Sequence, residues 1–150
     1  MHFNEISGTV VDAALKVHSA LGPGLLENVY EVCLVHELNK RGFRTASQLP
    51  LPVNYDGEKI DLGFRVDIMV ENTVVVEIKA VDAITPVHQA QLITFLKLSR
   101  KHVGLLINFN VVHLRDGIRR MVYGEPPSMS SVSGACPERS RRVVKSLVST

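Results

Sequence analysis

Two carboxylates and an amine crowd one short stretch of this chain, Asp67-Ile-Met-Val-Glu-Asn-Thr-Val-Val-Val-Glu77-Ile-Lys79. Side chains alternate between the faces of a strand, so Glu77 and Lys79 share one face of the segment Val74 to Ala80. Val74, Val76, Ile78 and Ala80 take the other. The preceding segment, Ile60 to Val70, alternates in the same way. Ile60, Leu62, Phe64, Val66, Ile68 and Val70 share one face, and Asp61, Gly63, Arg65, Asp67 and Met69 the opposite one. Glu71-Asn-Thr73 supplies turn chemistry, and antiparallel pairing across so short a turn can bring Asp67 near Glu77. Carboxylates held that close repel unless a proton or a cation sits between them. With a lysine alongside, the set suggests a hard metal ion with an amine beside its bound water.

The elements that must position these groups are read from periodicity and punctuation. Asn4 to Leu21 carries helical spacing and is stopped by Gly22-Pro-Gly24. Leu25 to Arg41 resumes it and ends with Lys40 and Arg41 before Gly42, a favourable end for a helix dipole. Gln48 to Tyr55 is expected as an edge strand, because Pro50 and Pro52 interrupt it, and Asp56-Gly57 is a hairpin turn. Thr85-Pro86 opens a third helix running to about Arg100. Val103 to Phe109 is apolar enough for a buried central strand, whereas Gly117 to Tyr123 fits a strand or a short helix. The expected class is therefore α/β, a mixed sheet flanked by helices in the order ααβββαβ with a final β left open. The folded domain is expected over residues 1–123, and the Ser-, Pro- and Arg-rich residues 124–150 as a disordered tail.

Composition narrows the function classes. The 150 residues, 45% apolar and 21% charged, suit one globular domain with a sizeable core. The net charge of +2 lies wholly after Tyr123, where Arg139, Arg141, Arg142 and Lys145 face Glu125 and Glu138. The remainder is neutral, so net charge gives it no case as a tight nonspecific nucleic-acid binder. Lys97, Arg100 and Lys101, and Arg115, Arg119 and Arg120, are local basic clusters of a size usual for solvated faces. No apolar run is long enough for a membrane helix, no secretory pattern opens the chain, and the two cysteines suggest no disulfide, so a cytoplasmic protein is expected. There is no glycine-rich phosphate loop or nucleophile elbow, and the six histidines lack zinc-ligand spacing.

By themselves Asp67, Glu77 and Lys79 also fit a surface cross-strand charge cluster. Other motifs change the weighing. Gly24-Leu-Leu-Glu27-Asn-Val-Tyr30 has the pattern Gly-x-x-Glu-x-x-Tyr, with Glu27 and Tyr30 at i and i+3 of the second helix. Gln91-Leu-Ile-Thr-Phe95 follows on the third helix, preceded by Thr85-Pro-Val-His88-Gln89. Gly22-Pro-Gly24, Leu51-Pro-Val53, Glu77-Ile-Lys-Ala80, Ala90-Gln-Leu92, Val103-Gly-Leu-Leu-Ile-Asn-Phe109 and Asp116-Gly-Ile-Arg-Arg120 complete the set. From roughly Ile6 to Val122 the chain resembles the GxxExxY family. Through Asp67…Glu77-x-Lys79 it also resembles the PD-(D/E)xK nuclease superfamily, to which that family is similar.

The resemblance implies a restriction-endonuclease-like fold and a metal-dependent phosphodiester hydrolase acting on nucleic acid. On it, Asp67, Glu77 and the Ile78 carbonyl would hold Mg²⁺ or Mn²⁺, with Glu27 completing the shell, and Lys79 would assist the attacking water. Gln91, Tyr30 and His88 would position substrate, although many members carry tyrosine where this chain has Phe95. Each has a plainer reading: Glu27 a helix-start acid, Tyr30 a core tyrosine, Gln91 an amphipathic-helix residue and His88 a structural histidine. The alternative function is a catalytically inactive nuclease-like module binding nucleic acid or a protein partner. A homodimer is compatible with the sequence but leaves no mark in it.

Overall fold

Helix α1 (Phe3–Leu21) and helix α2 (Glu27–Lys40) form on either side of the Gly22-Pro-Gly24 break. Their packed stripes are the periodic residues themselves: Ile6, Val10, Ala13, Ala14 and Val17 on the first, Tyr30, Leu34 and Leu38 on the second. Arg41, at the C-terminal end of α2, donates to Glu37 of the same helix at 2.9 Å and to Asp12, midway along α1, at 2.7 Å. The computed structural model describes residues 2–61, 63–126 and 144–148.

The strands are β1 (Thr45–Pro50), β2 (Val53–Tyr55), β3 (Glu58–Ile60), β4 (Arg65–Val70), β5 (Val74–Lys79), β6 (Val103–Asn108), β7 (Ile118–Tyr123) and β8 (Val144–Val148). Helix α3 (Pro86–Ser99) follows β5, and a single 3₁₀ turn (Leu114–Gly117) precedes β7. The main sheet has the order β1-β4-β5-β6-β7-β8. Among the described residues only β5 and β6 pair in parallel, because α3 supplies the crossover that parallel neighbours need. Helices α1 and α2 cover one face over Ile68, Val70, Val74, Val76, Ile78, Leu105 and Ile107. On the other face α3 packs Leu92, Phe95 and Leu96 against Val66, Met69, Val75 and Leu106. The expected mixed sheet between helices is thus present, and the segment left open as strand or helix forms strand β7 from Ile118, with Gly117 ending the 3₁₀ turn before it.

Three expectations change in detail. Ile60 to Val70 is not one strand: β3 pairs only with β2 in a separate hairpin, and Gly63, at φ +80°, turns the chain before β4 starts. Gln48 to Tyr55 divides likewise at Leu51-Pro52, where Leu51 N–H leaves the ladder to donate to the Phe64 carbonyl. The alternation also slips around Asp67. Val66 packs with Met69 and Val75 under α3, whereas Ile68 and Val70 face α1 and α2. In the expected tail, Val144–Val148 is extended and pairs antiparallel with β7. Its Val-Lys-Ser-Leu-Val sequence has the β-branched content that suits an added edge strand. The expectation for residues 127–143, 149 and 150 falls outside the described residues.

One glycine is dictated by close approach. A Cβ on Gly117 would lie 2.2 Å from the Asn108 carbonyl oxygen and 3.2 Å from Val111 Cγ2. Gly117→Ala is therefore expected to cost roughly 2–3 kcal/mol in a urea titration, as overpacking against backbone does.

Candidate active site

The β4–β5 hairpin sets the site. Its register, Val70 with Val74, Met69 with Val75 and Ile68 with Val76, places Asp67 opposite Glu77. There the ladder stops and the carboxylates take over its bonds. Asp67 N–H donates to Glu77 Oε2 at 3.2 Å, and Ile78 N–H donates to Asp67 Oδ2 at 2.8 Å. On the other side of β4 the register with β1 skips Asp67 and its opposite number, Gln48. The sheet thus parts on both flanks of Asp67, and side chains replace main-chain acceptors, as buried amides require.

Glu77 is 5% exposed. Burial, reinforced by the Asp67 carboxylate, pushes its acid up to about 8, against the opposing pull of the Asp67 amide and the Lys79 ammonium. Lys79 is half-buried and, among the described residues, makes no ion pair. Its cation is free to face a ligand. Phe109 N–H donates to the Lys79 carbonyl at 2.9 Å, holding the end of β5 in place.

Glu27 reaches the same strand end from the first position of α2, where its Oε2 accepts from Ala80 N–H at 3.2 Å. Tyr30 does not join it. Fully buried and stacked on Phe109 with ring centroids 4.5 Å apart, it donates its hydroxyl to the Gly22 carbonyl at 2.6 Å and accepts from Leu25 N–H at 3.1 Å. Both partners are backbone atoms of the α1–α2 loop, so the phenol fixes the entry of Glu27 rather than a substrate. His88 is likewise consumed locally. Its Nδ1 accepts from Thr85 N–H at 3.0 Å, and its own N–H donates to Thr85 Oγ1, closing a capping box at the start of α3. Gln91 is exposed on α3 and, among the described residues, neither it nor His88 hydrogen-bonds to Asp67, Glu77 or Lys79. Phe95 lies in the apolar layer, edge-on to Phe64 at 5.2 Å, an environment that a hydroxyl would not suit.

Three contributors carried weaker signals. Asn108, 1% exposed, accepts from Val81 N–H at 3.0 Å and from Asn110 N–H at 3.1 Å, and donates to the Val81 carbonyl at 3.0 Å. It pins the loop that leaves Lys79, and its signal was a lone amide inside an apolar run. Asn108→Leu, which orphans those groups, is expected to cost about 3 kcal/mol in equilibrium unfolding. Glu31, one turn beyond Glu27, and Gln48 are the others. Gln48 Nε2 lies 3.0 Å from both Glu31 oxygens and 3.3 Å from Asp67 Oδ1. Burial raises the Glu31 acid, the Gln48 bond lowers it, and the charges of Asp67 and Glu27 raise it further. Glu31 could have been read from its i+4 spacing to Glu27.

One of the two basic clusters lies elsewhere, whereas the register sets Arg119 in the same row of the sheet as Glu77, two strands away. Arg100 and Lys101 line a cleft of about 420 Å³ with Phe3, Thr73, Val103 and Tyr123, at the starts of β5 and β6. That is a strand length from Lys79, roughly 17 Å.

Glu27, Asp67 and Glu77 are hard oxygen donors, and a cation would stabilise the charge that burial makes costly on Glu77, so the donor chemistry fits a divalent cation. Among the described residues, however, no three or more His, Cys, Asp or Glu stand together as a metal-holding group. Each of the three carboxylates instead spends one oxygen on a backbone amide. No helix among the described residues is long and apolar enough to cross a membrane. No curated protein and no solved structure matches the chain. A family model described as the PD-(D/E)XK nuclease superfamily matches residues 4–121, which takes in both helices, the Asp67–Glu77 hairpin, Lys79 and α3. With this mixed sheet flanked by helices, a restriction-endonuclease-like fold, the chain belongs to the PD-(D/E)XK nuclease superfamily.

Proposed function

We propose that this protein is a divalent-metal-dependent phosphodiester hydrolase that cuts nucleic acid, grouped within its superfamily with the GxxExxY proteins. The observation that carries the reading is the interlock of Asp67 with Glu77 beside Lys79, which makes no ion pair among the described residues. Asp67, Glu77 and the Ile78 carbonyl would hold Mg²⁺ or Mn²⁺, with Glu27 at the margin. When bound, the ion would polarise the phosphate and acidify a water. Lys79 would orient the attacking water and offset the charge that grows on the phosphate oxygens. The burial of Glu77 means that charges beside it are screened less by bulk water than on an open surface. Gln91, exposed on α3, is available to a substrate strand, whereas Tyr30 and His88 act through the loop and helix they fix. All of these groups come from one chain, and we place the protein in the cytoplasm.

A second reading has one observation behind it: among the described residues, no three His, Cys, Asp or Glu side chains converge as a metal-holding group. On that reading the domain binds nucleic acid or a protein partner without cutting. Calorimetric titration of Mn²⁺ into the protein and into Asp67→Ala separates the two. We expect binding to the parent that Asp67→Ala abolishes. Absence of binding, or binding indifferent to the substitution, removes the proposed site.

A further inference from the structure

Gln48 sits in the middle of an edge strand, yet its backbone is left-handed, at φ 53°. Glutamine gains nothing from that conformation, which costs a side-chain-bearing residue on the order of 1 kcal/mol and persists only where surrounding contacts over-determine it. The contacts here are specific. The residue lies opposite Asp67, at the one position that the β1–β4 register skips. Its amide nitrogen donates to both Glu31 oxygens at 3.0 Å and to Asp67 Oδ1 at 3.3 Å. Because Asp67 Oδ2 is already held by Ile78 N–H, the Gln48 amide fixes the remaining oxygen and with it the rotamer of the carboxylate. Glu31 in turn anchors the amide to α2, the helix that also carries Glu27. The relay runs from α2 through Gln48 to Asp67 and on to β5.

We propose that Gln48 is a positioning residue: its amide, anchored by Glu31, presents Asp67 to the divalent cation and couples that presentation to α2. The inference rests on the metal-dependent reading above and adds two residues to it. Neither Gln48 nor Glu31 needs to touch substrate. Residues that orient a ligand from behind typically change metal affinity 10- to 100-fold when removed.

The test is Mn²⁺ affinity by calorimetry, with the melting temperature recorded for each variant. Gln48→Gly keeps a residue at ease with positive φ and deletes the amide. Gln48→Asn also tolerates that backbone but withdraws the amide by one methylene. Glu31→Gln removes the anchor's charge. We expect about 10-fold weaker Mn²⁺ binding for Gln48→Gly and for Glu31→Gln, with melting temperatures held or raised in the glycine variant. The double variant should bind no more weakly than the weaker single, because the two residues act in one relay. Gln48→Asn should lose affinity in the same direction. If Asp67→Ala abolishes binding while Gln48→Gly and Gln48→Asn bind as tightly as the parent, the positioning role is overturned and the metal site stands. If the parent binds no Mn²⁺, the metal-dependent reading falls and takes this one with it.

Discussion

Glu77→Gln is expected to make the ion-free protein more stable at pH 8, and to abolish cleavage. The sign follows from the proton held by Glu77. Its acid rises from an ordinary 4.5 to about 8 in the folded state, chiefly through burial and then through the Asp67 charge. Between those values the folded protein binds a proton that the unfolded chain has released. Unfolding therefore gives up a proton, and raising the pH favours it. The parent should be most stable near pH 5, lose on the order of 3 kcal/mol as the pH climbs toward 8, and level off above that. Glutamine does not ionise, so the variant should lack most of this slope. Glu31, raised in the same direction, contributes the same sign. Glu37 and Glu71, lowered mainly by hydrogen bonds from Arg41 and Arg44, lose their contribution only at more acidic pH. Urea titrations at pH 5.5, 7 and 8.5 measure the slopes directly. Equal slopes for parent and variant would show that Glu77 carries no unusual proton affinity.

Lys79→Ala is the second large effect, and it should separate from the first. The lysine is half-buried and makes no ion pair among the described residues, so its loss should move the melting temperature by no more than about 2 °C. Phosphodiester cleavage should nevertheless fall by roughly 10²- to 10⁴-fold, the range for losing a positioned proton-transfer or charge-stabilising group. Glu77→Gln is thus expected to be stable and inactive, and Lys79→Ala unchanged in stability and inactive. Such a pattern marks a site whose residues are chosen for chemistry at a cost to the fold. A Lys79→Ala protein that cuts at the parental rate would remove the lysine from the mechanism.

Much of this arrangement could be read before any coordinates, because strand period and turn length are local. Two-residue alternation and the Glu71-Asn-Thr73 turn were enough to set Asp67 against Glu77. Helical spacing and the Thr85-Pro86 start located the three helices. What escaped depends on tertiary contacts or on backbone states with weak sequence marks. Tyr30 looked like a partner of Glu27 because i and i+3 share a helix side, but the loop backbone at Gly22 and Leu25 claimed its hydroxyl. His88 lay near Gln91 in sequence, yet the cap at Thr85 took its ring. Gln48 was invisible for a different reason: nothing about a glutamine announces positive φ, and its role appears only once Glu31 and Asp67 are brought to it. The slip of Val66 to the α3 face follows from the same parting of strands around Asp67.

The central claim is that Asp67, Glu77 and Lys79 form a working metal-dependent phosphodiesterase site. The most direct test incubates the purified protein with end-labelled single- and double-stranded DNA and RNA in Mg²⁺ or Mn²⁺, with EDTA controls and parallel preparations of Asp67→Ala and Lys79→Ala. The account predicts cleavage of at least one substrate by the parent, abolished by EDTA and by Asp67→Ala and reduced at least ~100-fold by Lys79→Ala. Cleavage that persists in Asp67→Ala, cleavage by Lys79→Ala at the parental rate, or a parent that binds Mn²⁺ and cuts none of the four substrates, would contradict it.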